Sequence, residues 1–314
     1  MKTLSHLGRA TLRGAVAAFL IMSLRSSAQV QQAWVARYNN GITNGTNQAV
    51  KMALDSNGNV IVIGVSQNTN NQLGYVTIKY APNGTQLWAT RFDSTNYPNA
   101  TPSSVAIDSS NSVIVTGSAL TVKYDTNGNQ LWTVPYNGTA VAAEPKGNFI
   151  VTGYGAGFNT AKLSATGSNM WSQSFTSAYG PAISQVLAVD SAGDVYVAGS
   201  DNYVCFSEGP SQDCYYEASL IKYDQNGNGV FTNLLQTSSS YYAVQVVGLA
   251  LDSLTNVYVA VNGYQQPYLT YGYAQNGSAI WTAFNPTGDT FSAAHALTVD
   301  HLNNVVIVGE DANY

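Results

Sequence analysis

The chain has 314 residues, which is enough for one large β domain or two ordinary domains. Only 9% of its residues are charged and 45% are hydrophobic, so a sizeable core is possible while Asn, Gly, Ser, Thr and Tyr supply much of the polarity. The net charge of −5 disfavours nucleic acid and anionic membrane surfaces as partners.

The first 28 residues have the three-part layout of a secretory signal peptide. Lys2, Arg9 and Arg13 form a basic start, residues 14–24 are an apolar run of 11, and residues 26–28 are small. The apolar run is too short to span a membrane, and no later run is long enough. We therefore predict that residues 1–28 are removed, leaving a domain over 29–314 with a net charge of −9, because four basic residues and no acids are lost. The mature protein is expected to be secreted or extracytoplasmic, without membrane insertion.

The chain then repeats one phrase six times. Each copy is an apolar stretch, an acidic residue, a turn and a β-branched stretch, which is the pattern of a β-hairpin. The acids are Asp55, Asp108, Glu144, Asp190, Asp252 and Asp300, and the residues nine positions later are Gly64, Gly117, Gly153, Gly199, Val261 and Gly309. We name the two strands of this hairpin A and B.

A second phrase alternates with the first and predicts another hairpin, strands C and D. Its constant spacing joins Lys79, Lys123, Lys162, Lys222 or Gly272 to an aromatic residue nine positions later, namely Trp88, Trp132, Trp171, Phe231 or Trp281. Four of the five intervening turns are Asn-Gly, a strong hairpin signal. Copies three and five depart from the pattern, with Glu144 and with Val261 and Gly272, and resemble eroded repeats.

The two hairpins together make a four-stranded unit. The A–B and C–D turns share one edge of this unit, which we call the constant edge. The B–C and D–A links vary in length and share the other edge, which we call the variable edge. Variable loops on a rigid scaffold are where binding usually takes place.

The repeat predicts an all-β fold, a β-propeller of about six four-stranded blades, because the acids are on average about 49 residues apart. A parallel β-helix has shorter coils, and a sandwich would not repeat one phrase six times. The phrases at 53–64 and at 77–88 resemble the bacterial β-propeller repeats often labelled SBBP. That resemblance covers most of residues 49–310 and implies a bacterial extracellular or surface propeller, but it carries no catalytic residues.

The last blade is incomplete in the sequence. Residues 34–38 match 88–92, so a D strand over 31–39 is expected to belong to the closing blade. That blade has strands A (296–301) and B (304–310), but strand C is missing before Tyr314. Either the chain is truncated or the ring stays imperfect. We favour truncation, because the sheet edge left by strand B would invite aggregation.

Several polar residues admit two interpretations. Asp55, Asp125 and Asp224 begin Asp-x-Asn-Gly-Asn segments that resemble calcium loops, but the glycine is at the wrong position and the side chains are expected to satisfy the turn backbone. The repeated lysines could line a central anion site. We favour lysines that lie along the sheet with the ammonium in solvent. The repeated aromatics are expected to pack between blades rather than to hold sugars. We predict no metal site and no cofactor.

The B–C link over 200–219 is the most distinctive loop. Cys205 and Cys214, the only cysteines, are expected to form a disulfide in an oxidising compartment. Tyrosines of this and other variable-edge loops offer a large contact area with a polar tip, and they could instead cover the blade edges. The candidate ligand-binding residues are Tyr203, Tyr215, Tyr216, Tyr241, Tyr242 and Tyr264.

The sequence shows no catalytic arrangement. His295 and His301 lie at opposite ends of one predicted strand, and no nucleophile elbow or phosphate loop occurs. The hypothesis that we favour is a non-enzymatic exported propeller that binds a protein or glycan through the variable edge. The alternatives are a polysaccharide lyase or hydrolase with a central-pocket site, and a structural cell-surface repeat protein.

Overall fold

A computed structural model describes residues 32–93, 96–153, 157–176, 183–208, 211–235, 244–263, 267–284 and 292–310, with the backbone alone for 201–217. The chain divides into two compact units, Met1–Val35 and Ala36–Tyr314. In the first unit only residues 32–35 are described, and they form no strand. The second unit holds all the strands given below, and its described residues contain no helix.

Five blades have four antiparallel strands each, in the sheet order of the sequence. Blade 1 has β1 (Asn47–Leu54), β2 (Val60–Gln67), β3 (Leu73–Tyr80) and β4 (Gln86–Phe92). Blade 2 has β5 (Pro102–Ile107), β6 (Val113–Gly117), β7 (Thr121–Tyr124) and β8 (Gln130–Val134). Blade 3 has β9 (Ala140–Ala143), β10 (Phe149–Gly153), β11 (Phe158–Leu163) and β12 (Asn169–Phe175).

The remaining blades follow the same order. Blade 4 has β13 (Ile183–Val189), β14 (Val195–Glu208), β15 (Ser211–Tyr223) and β16 (Gly229–Leu235). Blade 5 has β17 (Gln245–Leu251), β18 (Val257–Asn262), β19 (Leu269–Tyr273) and β20 (Ala279–Phe284). Blade 6 has only β21 (Ala293–Val299) and β22 (Val305–Glu310) among the described residues. Repeated four-stranded up-and-down sheets are β-propeller architecture, so the predicted all-β propeller fold is confirmed.

The recurring glycine of strand B lies against the backbone of strand A or of the residues just before it. A Cβ atom at Gly117 would lie 2.2 Å from the carbonyl oxygen of Thr101. At the equivalent glycines of blades 1, 3, 4 and 6 it would lie 2.1–2.3 Å from a carbonyl oxygen of strand A or of a residue up to three positions before it. No side chain fits at such a distance. The recurring glycine of the first phrase is therefore required by this close approach.

The repeated aromatics pack between blades, as predicted. Trp88 of blade 1 donates from Nε1 to the carbonyl of Thr126 in the C–D turn of blade 2, at 3.0 Å, and its ring centroid lies 6.3 Å from that of Tyr124. A Cβ at Gly128 would be 2.7 Å from this indole. Trp132 and Trp171 make the same hydrogen bond to Ala165 and Gln225 of the following blades.

The A strands of successive blades contact one another from β1 to β21. Between blades 1 and 2, Ile61 and Ile63 of β2 pack in one apolar cluster with Val105 of β5. The equivalent surfaces at the two ends of the series are not covered by described residues. Met52 of β1 is 60% exposed, whereas Val105, at the equivalent position of blade 2, is 8% exposed. Val308 of β22 is 61% exposed, whereas Ile63, at the equivalent position of blade 1, is fully buried. The ring formed by the described blades is therefore open between blade 6 and blade 1.

Residues 32–46 form no strand. A D strand needs a C strand to receive its backbone hydrogen bonds, and blade 6 has no third strand among the described residues. The strand expected over 31–39 is thus absent from the described part of that segment, and its place in a closing blade stays a prediction.

Candidate functional site

The constant edge holds a row of ion pairs between the two hairpins of blades 1 to 4. Nζ of Lys79 lies 2.9 Å from Oδ2 of Asp55, and the corresponding distances are 3.1 Å for Lys123 to Asp108 and 2.6 Å for Lys162 to Glu144. Blade 4 has the same pair with a different acid, because Lys222 reaches Asp194 at 2.9 Å. The four lysine side chains are buried.

The expectation that these ammonium groups lie in solvent is therefore wrong. The physical reason is burial beside a carboxylate, and for three of the four lysines the next blade also offers an acceptor. Lys162, for example, donates to the carbonyl of Gln225 in blade 4 at 3.0 Å as well as to Glu144. Lys123 and Lys222 make the same kind of bond to Ala165 and Gln275. With a carboxylate in direct contact, the four lysines are not free to bind an anion, and Lys123, Lys162 and Lys222 also link neighbouring blades.

Blade 5 has no lysine at this position, and its acid is contacted by a tyrosine of strand B. Tyr258 donates its hydroxyl to Oδ2 of Asp252 at 3.0 Å, and its ring stacks on Trp281 at 5.5 Å. Gly272 stands where the lysine would be, and a Cβ there would lie 3.0 Å from the Trp281 ring. The same tyrosine contact occurs in blade 4, where Tyr196 donates to Asp190 at 3.4 Å although Lys222 is present. In blade 5 the acid therefore keeps a side-chain donor from strand B without a lysine.

The Asp-x-Asn-Gly-Asn segments satisfy their own turns, as predicted. Oδ1 of Asp55 accepts the backbone N–H groups of Asn57 and Asn59, and Oδ2 accepts the Asn59 amide. Asp125 and Asp224 make the same three contacts. Burial raises the pKa of Asp55, but the hydrogen bonds from Asn59, Lys79 and Asn57 outweigh it and lower the pKa to about 2.

The long B–C link of blade 4 is a β-hairpin extension rather than an irregular loop. Strands β14 and β15 continue their pairing outward through Asp201–Glu217 and Val204–Tyr215 to Glu208–Ser211, with one register shift. Tyr203, Tyr215 and Tyr216 lie on this extension, and their side chains are outside the described residues. Tyr241, Tyr242 and Tyr264 also fall outside the described residues, so the predicted tyrosine surface stays a prediction.

The two cysteines stand directly opposite each other in this hairpin. The register pairs Cys205 with Cys214. Opposed residues of an antiparallel pair have Cα atoms about 4.5–5.5 Å apart, which lies within the range of about 4.4–6.8 Å found for disulfides. The register is therefore compatible with the predicted disulfide, whose side chains are not among those described.

A cleft lies between the D–A link of blade 2 and strands B, C and D of blade 3. Its volume is about 360 Å³. None of its lining residues is charged, and most are polar. They are Pro135, Tyr136, Asn137, Val151, Asn159, Thr160, Ser172, Gln173 and Ser174. The D–A link belongs to the variable edge, where the repeat pattern predicts binding.

Tyr136 is held across this cleft by blade 3. Its hydroxyl lies 3.1 Å from Oγ of Ser172 and accepts a hydrogen bond from the amide of Asn169 at 2.8 Å. Gln173 and Ser174 next to this network are exposed. A fixed aromatic ring beside exposed amide and hydroxyl groups can bind an uncharged polar ligand by stacking and hydrogen bonds.

Sequence reasoning missed Tyr136, although a signal was present. The position four residues after the strand-D aromatic carries Phe92 in blade 1, Phe175 in blade 3 and Leu235 in blade 4. Blade 2 alone among these has a hydroxyl there. Pro135 precedes it and β8 ends at Val134, because proline cannot donate to the ladder.

The histidines do not meet. His295 lies in β21 with Nε2 3.7 Å from Glu310, both exposed, while His301 is in the turn that follows β21. Within the described ranges, no group of three His, Cys, Asp or Glu side chains is placed to hold a metal ion. Those same ranges contain no helix with the length and apolar character needed to cross a membrane.

No family model and no curated protein matches this sequence. Solved structures do resemble it. The structure of YCF48 bound to D1 peptide shares 12% identity, with 85% of this chain and 76% of that chain covered and a TM-score of 0.52. A Bacteroides caccae protein of unknown function (13% identity, 81% and 86% covered, TM-score 0.46) and the Pan2 WD40 domain of Neurospora crassa (12%, 83% and 86%, TM-score 0.47) are also similar. The likeness to the first supports the β-propeller fold, whereas membership of the SBBP repeat family stays a prediction.

Proposed function

We propose that this protein is an exported, non-enzymatic β-propeller that binds an uncharged glycan or protein segment through its variable edge. The observation that carries the proposal is the uncharged cleft at the D–A link of blade 2, with Tyr136 held across it. A lining of hydroxyl and amide groups offers hydrogen bonds without selecting for charge. A chain with 9% charged residues suits a ligand of this kind.

Two further features support the same edge. The β14–β15 hairpin extends the variable edge of blade 4, and the Cys205–Cys214 disulfide that we propose there would stiffen it after export. A protein of similar fold, YCF48, has been solved bound to D1 peptide, so a peptide is a suitable first class of ligand to test.

The test is binding of the full chain to glycan and peptide arrays. Three changes address the variable edge: deletion of 201–217, Tyr241→Ala with Tyr242→Ala, and Tyr136→Ala with Gln173→Ala. Leu254→Ala is the matched control, since Leu254 is exposed in a turn of the constant edge.

We expect at least one variable-edge change to abolish capture and the control to leave it intact. Binding that survives all three changes contradicts the site assignment. Cleavage of an arrayed polysaccharide would favour the lyase or hydrolase instead, and the absence of any ligand would favour a structural surface protein.

A further inference from the structure

The cleft between blades 2 and 3 has small side chains on its blade-3 wall. Ser174 of β12 stands directly opposite Asn159 of β11, and Ser172 lies two positions away in β12, so the three side chains share one face of the sheet. The position of Ser174, three residues after the strand-D aromatic, carries Arg91 in blade 1 and Leu234 in blade 4. The serine leaves space that these longer side chains would fill.

Tyr136 offers a ligand its ring rather than its hydroxyl group. The hydroxyl oxygen accepts the amide of Asn169 at 2.8 Å and lies 3.1 Å from Oγ of Ser172, so its hydrogen-bonding capacity is largely used within the protein. The side chain also packs against the apolar cluster that contains Phe149 and Val151. The ring is therefore held in place before a ligand binds, and a fixed side chain loses little conformational entropy on binding.

The backbone of the D–A link is not arranged to pair with a peptide strand. Pro135 has no N–H group, and the N–H of Tyr136 donates to the carbonyl of Val134 at 2.8 Å. The N–H of Gly138 donates to the carbonyl of Gly117 at 3.0 Å. On the opposite wall, β11 is paired on both sides. A peptide that adds as a strand needs a row of free backbone groups, which these walls do not offer.

The chemistry of the lining suits a neutral sugar. Among the described residues that line the cleft, none is charged, so a charged ligand would lose water without gaining a counter-ion. Hydroxyl and amide groups both donate and accept hydrogen bonds, as sugar hydroxyls do, and the apolar face of a sugar ring can pack on an aromatic ring. The volume of about 360 Å³ is near the lower end of the range of about 300–1,000 Å³ for ligand sites, which favours a short segment.

We propose that the cleft binds a short neutral oligosaccharide, with one sugar ring packed on Tyr136 and its hydroxyl groups bonded to Ser174 and Asn137. Both of these polar side chains are exposed at the cleft. This inference rests on the function proposed above and assigns the chemical class of the ligand at the same site. It selects a glycan over a protein segment, and a neutral glycan over an acidic one.

The experiment titrates the full chain, by calorimetry, with neutral gluco-, manno- and galacto-oligosaccharides and with uronic-acid oligosaccharides of the same length. We expect at least one neutral series to bind and its uronate counterpart to bind more weakly by about tenfold or more, because the uronate finds no cation in the cleft. The affinity for the neutral sugar should be the same at about 50 and about 500 mM salt, since no charged pair contributes to it.

Three variants locate the sugar. Ser174→Leu gives blade 3 the residue that blade 4 has, and it should abolish binding by filling the cleft without changing the melting temperature, because Ser174 is exposed. Tyr136→Ala should also abolish binding, whereas Tyr136→Phe keeps the ring and should weaken binding by less than Tyr136→Ala does. Thr232→Leu is the matched control, since Thr232 is an exposed strand-D residue of blade 4 outside the cleft, and it should leave the affinity unchanged.

The outcomes separate this inference from the proposed function. A peptide that binds and is lost in Ser174→Leu, with no neutral sugar bound, would overturn the sugar assignment and leave the proposed function standing. A uronate that binds as tightly as the neutral sugar, or a sugar whose affinity Ser174→Leu and Tyr136→Ala leave unchanged, would overturn it as well. Binding of neither a glycan nor a peptide by the full chain would overturn both.

Discussion

Nζ of Lys162 lies 2.6 Å from Oε1 of Glu144, and both side chains are almost fully buried between blades 3 and 4. This pair belongs to the copy in which the repeat departs from its usual aspartate. The ion pair is nevertheless kept, because the glutamate carboxylate takes the same place at the turn and also accepts the Asn148 amide at 2.8 Å. The copy is therefore not eroded at this position.

Removal of this lysine should destabilise the protein strongly. Lys162→Met leaves a buried carboxylate without its cation, and we expect the free energy of unfolding in urea to fall by about 3–5 kcal/mol. Lys146→Met, at an exposed lysine of the same blade, should change it by less than about 0.5 kcal/mol. Glu144→Gln combined with Lys162→Met should be milder than Lys162→Met alone, and a larger loss for the double change would contradict the pairing.

The packing of Trp88 between blades predicts that its removal destabilises the protein, whereas removal of its exposed neighbour does not. Trp88→Ala removes the ring from Tyr124 and Gly128 and the hydrogen bond to Thr126, and should cost about 3–5 kcal/mol. Leu87→Ala is the control, because the neighbouring Leu87 is half exposed on the outer face. A melting curve that Trp88→Ala leaves unmoved would refute the packing role.

Acid should destabilise the constant edge. The pKa of Asp55 is lowered from 3.8 to about 2 in the folded protein, so its contribution to stability is complete above pH 3.8 and is lost as the pH falls toward 2. Hydrogen bonds within the turns also lower the pKa values of Asp125, Asp224 and Asp300. We expect the urea midpoint to decline over this interval, and to decline less in Asp55→Asn. An equal decline in both proteins would show that Asp55 is not responsible.

The close approach of strands A and B can be tested at one glycine. Gly117→Ala would place a methyl group 2.2 Å from the Thr101 carbonyl and must move one strand, at about 1–3 kcal/mol. Gly229→Ala meets no atom within 4 Å and should be neutral or slightly stabilising. Equal melting temperatures for the two variants would argue against the observed register.

Equivalent apolar residues of blades 1 and 6 should differ in their contribution to stability, because only those of blade 1 are covered by a described blade. Ile63→Ala creates a cavity between blades 1 and 2 and should cost about 2–5 kcal/mol. Val308→Ala, at the equivalent place on blade 6, changes an exposed side chain and should cost less than about 0.5 kcal/mol. A large loss at Val308 would mean that another surface covers blade 6 in solution.

Local patterns in the sequence predicted every hairpin of the repeat, because turn residues and alternating apolar residues act over a few positions. The spacing from acid to glycine and from lysine to aromatic was enough to define strands A to D, their shared edges and the packing role of Trp88. The variable edge was also predicted, and the cleft at Tyr136 adjoins it.

The burial of each residue was determined by the tertiary structure alone. Lys123 is buried because blade 3 lies over it, and Met52 and Val308 are exposed because no described blade lies over them, although all three occupy ordinary positions in the repeat. The B–C insertion likewise became a hairpin through the pairing of β14 with β15. A repeat specifies each blade through local contacts, whereas burial, ion pairing and ring closure depend on the neighbouring blade, which the spacing within one blade does not describe.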